Sequence, residues 1–150
     1  MIELKHVVNR EEYLPYLLLA DEDEEKVMDY IQEGELYAIV DGDQVIGACL
    51  FTFPSPKVVE IKNIAVIFTK QGKGIGTSVI QKSFSMFQDR GFSEMIVGTA
   101  NSSLANISFY QRCGFRMDSI RKDFFLDYPE PIYENGILAT DMIVFSRDLS

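Results

Sequence analysis

The chain moves between two hydrophobic periods. Residues 2–7, IELKHV, place apolar and polar side chains in turn, the period of a half-buried strand. Residues 11–20 (EEYLPYLLLA) and 21–34 (DEDEEKVMDYIQEG) change to helical spacing. Pro15 falls near the start of the first helix, where its missing N–H is tolerated, and Gly34 closes the second. Two apolar runs within 35–53 flank Asp41-Gly42, a dipeptide that favours a hairpin turn. Pro54 and Pro56 break the pattern before a third strand, VVEIKNIAVIF at 58–68. Ile75, Val79, Ile80, Phe84 and Phe87 then recur at helical spacing until Gly91 stops them. A strand over 92–99, a helix over 103–113 ended by Gly114, and strands over 115–125 and 137–149 complete the order β-α-α-β-β-β-α-β-α-β-β. No repeat or linker-like stretch interrupts it, so residues 1–150 read as one mixed α and β domain.

Composition narrows the function classes. A chain of 150 residues buries a full core of its own. Its net charge of −9 argues against a nucleic-acid partner, whose affinity is largely cationic neutralisation of phosphates, and suits a cationic acceptor. No basic region precedes an apolar core at the N-terminus, and no apolar run reaches bilayer-spanning length, so a cytoplasmic protein without a membrane partner is expected. Cys49 and Cys113 match no metal-ligand spacing; both read as reduced structural residues, and no metal is expected. The single histidine, His6, reads as structural.

The most informative stretch is TKQGKGIGTSVI, Thr69 to Ile80, between the third strand and its helix. It satisfies neither the G-x-G-x-x-G dinucleotide pattern nor the G-x-x-x-x-G-K-[ST] phosphate loop. What it offers is Gln71-Gly72-Lys73-Gly74-Ile75-Gly76 running into a helix N-terminus. Glycines let bare N–H groups turn into one concavity, and the helix adds about half a positive charge there. Such a nest holds a phosphate or pyrophosphate, with Lys70 or Lys73 at its rim.

With that context, NIAVIFTKQGKGIGTSVI resembles the acyl-CoA-binding segment of the GNAT superfamily of N-acetyltransferases, a strand ending Leu/Ile-Ala-Val, a turn, then [RQ]-x-x-G-x-[GA], with Gln71, Gly74 and Gly76 at the motif positions. NISFYQRCGF is similar to the same family's second signature, a helical tyrosine followed by x-x-x-Gly-Phe, here Tyr110, Gly114 and Phe115. Phe68 stands where the family often has proline. Ser103 stands where it usually has asparagine, seven residues before the tyrosine, with Asn101 and Asn106 nearby as cofactor-contact candidates. The resemblance implies an α/β fold of the α+β type: a mostly antiparallel twisted sheet of about seven strands flanked by helices.

The resemblance also implies acetyl-CoA as co-substrate and direct attack by a primary amine of a small molecule or peptide, which agrees with the lack of a nucleophilic triad. Ile64, Ala65 and Val66 would lend backbone to the pantetheine arm. The pyrophosphate would rest on Gln71, Gly72, Lys73, Gly74, Ile75, Gly76 and Thr77. Tyr110 is the general-acid candidate, since a phenol is protonated at neutral pH and can donate to a departing thiolate. Glu60 is the base candidate, directly or through water; alternation puts Glu60, Lys62 and Ile64 on one strand face and Val59, Ile61 and Asn63 on the other. Its alternative is a solvated or ion-paired position. Glu130, Tyr133 and Glu134 in the loop 126–136 suit a cationic amine; the same loop is equally a candidate contact in a homodimer. The acidic run Asp21–Glu25 lies by the helix pair that borders the acceptor cleft in the family, yet reads on its own as a solvated helix start. Two other readings stand beside the enzyme: a non-catalytic acyl-CoA-binding module of the same fold, and an unrelated phosphate-binding α/β protein.

Overall fold

A computed structural model describes residues 1–150. Its strands are β1 (Ile2–His6), β2 (Glu35–Asp41), β3 (Gln44–Ser55), β4 (Val58–Val66), β5 (Glu94–Ala100), β6 (Arg116–Arg121), β7 (Tyr133–Glu134), β8 (Ile137–Leu138) and β9 (Met142–Asp148). The helices are α1 (Leu14–Leu17), α2 (Glu24–Tyr30), α3 (Ile75–Asp89) and α4 (Leu104–Arg112). Seven strands make one sheet in the order β1-β2-β3-β4-β5-β9-β6, while β7 and β8 form a separate hairpin. Every neighbouring pair is antiparallel except β4 and β5. The expected fold class and element order are therefore present.

Four local expectations change. The first helical segment is a single α-turn preceded by a 3-10 turn over Arg10–Tyr13, and α2 begins only after Asp23, whose side chain accepts from the Lys26 N–H. The β2–β3 turn is Gly42-Asp43 rather than Asp41-Gly42, because Asp41 pairs with Gln44 and Gly42 supplies the positive φ of 63°. Pro54 does not end β3; the strand continues to Ser55, with the proline where the register to β4 slips and no ladder donor is needed. The last strand is divided: residues 137–138 pair with β7 around Asn135-Gly136, both at positive φ, and β9 starts at Met142.

Hydrophobic cores cover both faces. Val79, Ile80, Phe84 and Phe87 of α3 and Tyr110 of α4 pack with Ile39, Phe51, Val59, Ile61, Val97 and Phe145. On the opposite face Leu17, Val27, Tyr30 and Ile31 pack with Leu36, Ala38, Ala48 and Leu50.

The feature that matters most for the site is a bulge in β4. Phe51 pairs with Ile61 but Leu50 pairs with Asn63, so Lys62 has no partner in the ladder. Val59 and Ile61 face α3, and so do Ile64 and Val66, which pack on the same core. Asn63 faces α1 and α2, where its Nδ2 donates to the Leu17 carbonyl and the Tyr30 hydroxyl, both at 2.9 Å. Alternation had put Glu60 and Ile64 on one face; the extra residue reverses that, and Glu60 lies with Asn63. The β4–β5 pairing runs from Val58–Glu94 only to Ile61–Val97 and ends beside the bulge. Beyond it β4 stays with β3 to Val66 and β5 with β9 to Ala100, so the sheet opens between them.

Far from this opening, the Arg90 guanidinium donates to both Glu35 carboxylate oxygens, at 2.8 and 2.9 Å, and holds that carboxyl below the usual carboxylate range. A depressed folded-state value contributes stability above the unfolded value, near ~4.3, that is lost as pH falls through the folded one. Glu35→Gln is thus expected to lower the melting temperature at pH 7, and the gap to wild type should narrow as pH falls to about 3. Circular-dichroism melts at the two pH values check this; a gap of unchanged size would show that the charge contributes nothing.

Candidate active site

The opening carries an anion nest at one end. β4 leads through a 3-10 turn (Phe68–Lys70) to Gly72 and Gly74, at φ 76° and 77°, and Gly74 caps α3. Gly74 accepts from the Ser78 N–H to start the helix, yet none of the N–H groups from Gly72 through Thr77 has an acceptor within the chain. A Cβ on Gly72 or Gly74 would meet nothing, so these donors front an open concavity. Gln71 reaches back from the loop, its Nε2 donating to the Val66 carbonyl at 2.9 Å, and ties the nest to the end of β4. Gly76 has a packing job besides its free N–H: a Cβ there would come within 3.1 Å of the Phe109 ring, so this glycine lets α3 and α4 approach. Lys73 and Thr77 are exposed at the rim, and Ile75 is buried in the core. Between nest and bulge, Ile64, Ala65 and Val66 have no β5 partner.

Tyr110 sits under this opening on the α3 face. Its ring packs against Phe109, Phe115 and Phe145, and it lies close to the thiols of Cys49 and Cys113. Cys49 is paired with Ile64, which sets the tyrosine at the level of the unpaired strand. Burial, with smaller contributions from the two thiols, pushes the phenol well above its ordinary value, so it stays protonated. Its hydroxyl makes no hydrogen bond within the chain, although Tyr30, Tyr37 and Tyr128 each find a carboxylate. Glu60 is half-buried on the opposite face, between Thr52 and Ile96. The acid and base candidates therefore lie on the two sides of the sheet.

The asparagines part company. Asn101 is committed to the fold: its Oδ1 accepts from the Thr140 and Asp141 N–H groups, and its Nδ2 donates to the Leu138 carbonyl. Asn106 is exposed on α4, its Nδ2 donating to Thr99 at 3.3 Å. Ser103 donates to Glu134 at 2.6 Å, so this glutamate is engaged at the start of α4, while Glu130 and Tyr133 are exposed.

Sequence reasoning missed a polar cluster on the α1–α2 face. The Tyr30 hydroxyl accepts from Asn63 and donates to Asp21 at 3.2 Å; the Tyr128 hydroxyl approaches the same carboxylate at 3.4 Å. Burial raises both phenols, and the Asp21 charge raises them further. The Lys62 ammonium lies 5.3 Å from the Tyr30 ring centre and the Lys26 ammonium 4.5 Å from that of Tyr128. Tyr128 comes from the segment between β6 and β9, so the cluster joins the two halves of the sheet across the opening. Its one sequence signal was the acidic run holding Asp21.

The sheet thus parts beside a bulge, with an anion nest at the end of one strand and a protonated phenol below, the arrangement that the acetyltransferase resemblance implies. Residues 3–115 match the Acetyltransferase (GNAT) family, and the chain belongs to it. It is similar to the uncharacterized N-acetyltransferase YvbK of Bacillus subtilis (strain 168), with 40% identity over 99% of this chain and 96% of the relative. Among solved structures it is similar to a GNAT family acetyltransferase from Elizabethkingia anophelis with acetyl-CoA bound, at 36% identity, TM-score 0.90 and 99% and 97% coverage of the two chains. A Bacillus subtilis acetyltransferase in complex with CoA gives 39%, 0.88, 99% and 98%.

Proposed function

We propose that the protein transfers an acetyl group from acetyl-CoA to a primary amine by direct attack within a ternary complex. The observation that carries this is the row of unpaired N–H donors from Gly72 to Thr77, joined through Gln71 to the unpaired end of β4. Those donors suit a pyrophosphate, and the open stretch Ile64–Val66 suits an extended amide-bearing arm that adds to a strand edge. Asn106, free of the commitments of Asn101, is the asparagine placed to help. Acetyl-CoA supplies the thioester; the new bond joins the amine nitrogen to the acyl carbon as the carbon–sulfur bond breaks. Glu60, from the α1–α2 side, takes the amine proton directly or through water. Tyr110, from the α3 side, gives its proton to the sulfur and recovers one from solvent.

Thiol release from acetyl-CoA across a panel of amines tests the reading, alongside CoA binding in competition with free nucleotides. Release that needs both acetyl-CoA and an amine is expected, with little competition from nucleotides. CoA binding without release under any amine would make the protein a binding module. Nucleotides that compete as well as CoA would leave only a generic phosphate site.

A further inference from the structure

The α1–α2 face of the opening holds a cation that the chain leaves without a counter-ion. The chain has 23 acidic and 14 basic residues, and neither of its two ion pairs uses a lysine. Those pairs join Met1 to Asp41 and Arg90 to Glu35; what sets Lys62 apart from the exposed lysines is its place beside the opening, where its ammonium donates no hydrogen bond within the chain. It is half-buried, and the Tyr30 ring is what it rests on. Its position is a product of the bulge: as the residue that the β3 ladder skips, it lies where β4 and β5 part and two residues before Ile64.

The neighbouring charges explain why this ammonium is available. Asp21, the buried-side carboxylate of the cluster, is already occupied by the Tyr30 and Tyr128 hydroxyls and the Asp23 N–H. Glu60 shares the face but forms no ion pair with Lys62. Lys26 adds a second cation across the cluster, also unpaired and stacked on a tyrosine. The next residue, Asn63, is committed to the fold. Asn63 is 5% exposed, and its Nδ2 must face the Leu17 carbonyl, which fixes the amide orientation; its Oδ1 is then a buried acceptor with no donor. That oxygen is closed to solvent, so the half-buried Lys62 ammonium is the group on this face that an incoming anion can reach.

We propose that Lys62 is a specificity-determining residue that binds a carboxylate on the acceptor, making the acceptor an amine that carries a carboxylate, of the amino-acid class. This rests on the acetyl-transfer reading above and differs from the cationic acceptor suggested by net charge. One lysine in a chain of charge −9 suits a single negative charge better than a doubly charged phosphate. The long-range repulsion of such an acceptor is largely screened at physiological salt, whereas contact with a half-buried ammonium is not.

The test uses matched acceptors: amino acids presented as the free acid and as the carboxamide, with a diamine as the cationic comparison. For the wild type, kcat/KM is expected to favour the acid by about tenfold or more, the size of one charge-assisted hydrogen bond. Lys62→Met should bring acid and amide within about twofold, chiefly through KM, and Lys62→Arg should keep part of the preference. Equal use of acid and amide by the wild type, a preference for the diamine, or a preference that survives in Lys62→Met would each overturn the proposal. If CoA binds but no amine is turned over, the acetyl-transfer reading itself fails. Calorimetry on the CoA complex with N-acetyl amino acids then decides the Lys62 claim separately. Tighter binding of the acid than the amide, lost in Lys62→Met, supports it, and equal or absent binding overturns it.

Discussion

Tyr110→Phe is expected to lower kcat by about 10², the low end of what general-acid catalysis contributes, equivalent to roughly 2.7 kcal/mol of barrier. The low end is chosen because a thiolate is already a fair leaving group. KM for acetyl-CoA and the melting temperature should hardly change, since the phenylalanine keeps the contacts with Phe109, Phe115 and Phe145 and the lost hydroxyl has no partner in the chain. Burial also decides the pH behaviour. A phenol raised this far above its ordinary value stays protonated through pH 10, so its ionisation puts no alkaline limb on the wild-type profile. The variant should show the same profile at a lower level. Rates, acetyl-CoA affinity and a thermal melt on one preparation check all three. A folded variant working at the wild-type rate would make Tyr110 a packing residue and leave water as the acid.

Gly74→Asp is expected to weaken CoA binding by about 10² or more while the chain stays folded. Gly74 has φ 77°, but Asp tolerates the left-handed region better than most residues, and a Cβ there meets nothing. Asp is also a favourable helix N-cap, which offsets part of the conformational cost. That same capping does the damage: the carboxylate claims N–H groups at the start of α3 and repels a pyrophosphate. Calorimetry with CoA on a protein whose melt is cooperative reads the effect. Wild-type affinity in such a protein would remove the pyrophosphate from this loop.

The order of elements and the nest were legible because both are local. Alternation gave β1, apolar runs between turn signals gave β2 to β4, helical spacing gave α3, and the glycines at 72 and 74 marked a tight turn, which the backbone makes with positive φ at both. The bulge at Lys62 was not legible. Nothing in VVEIKNIAV shows which residue the neighbouring strand will skip, and a single skip exchanges the faces of everything after it. The Asp21–Tyr128 contact spans 107 positions in the chain and leaves no local trace. Asn101 was read as a cofactor candidate from its motif context, although its amide is engaged with residues 138–141. The β7–β8 hairpin is a different kind of miss, because Asn135-Gly136 is a strong turn signal within a segment read as loop.

The third glycine of the loop has a reach beyond its own helix. Gly76 admits the Phe109 ring to 3.1 Å of where a side chain would begin, and Phe109 is the residue before Tyr110. The spacing of α3 and α4 at that point therefore gauges how deep the phenol stands below the parted strands. A bulkier residue at 76 would leave the anion-facing N–H groups where they are and push α4 outward, carrying the proton donor with it. The loop is thus a caliper as well as a cradle: one jaw fronts the open concavity of N–H donors, and the other sets the depth of Tyr110.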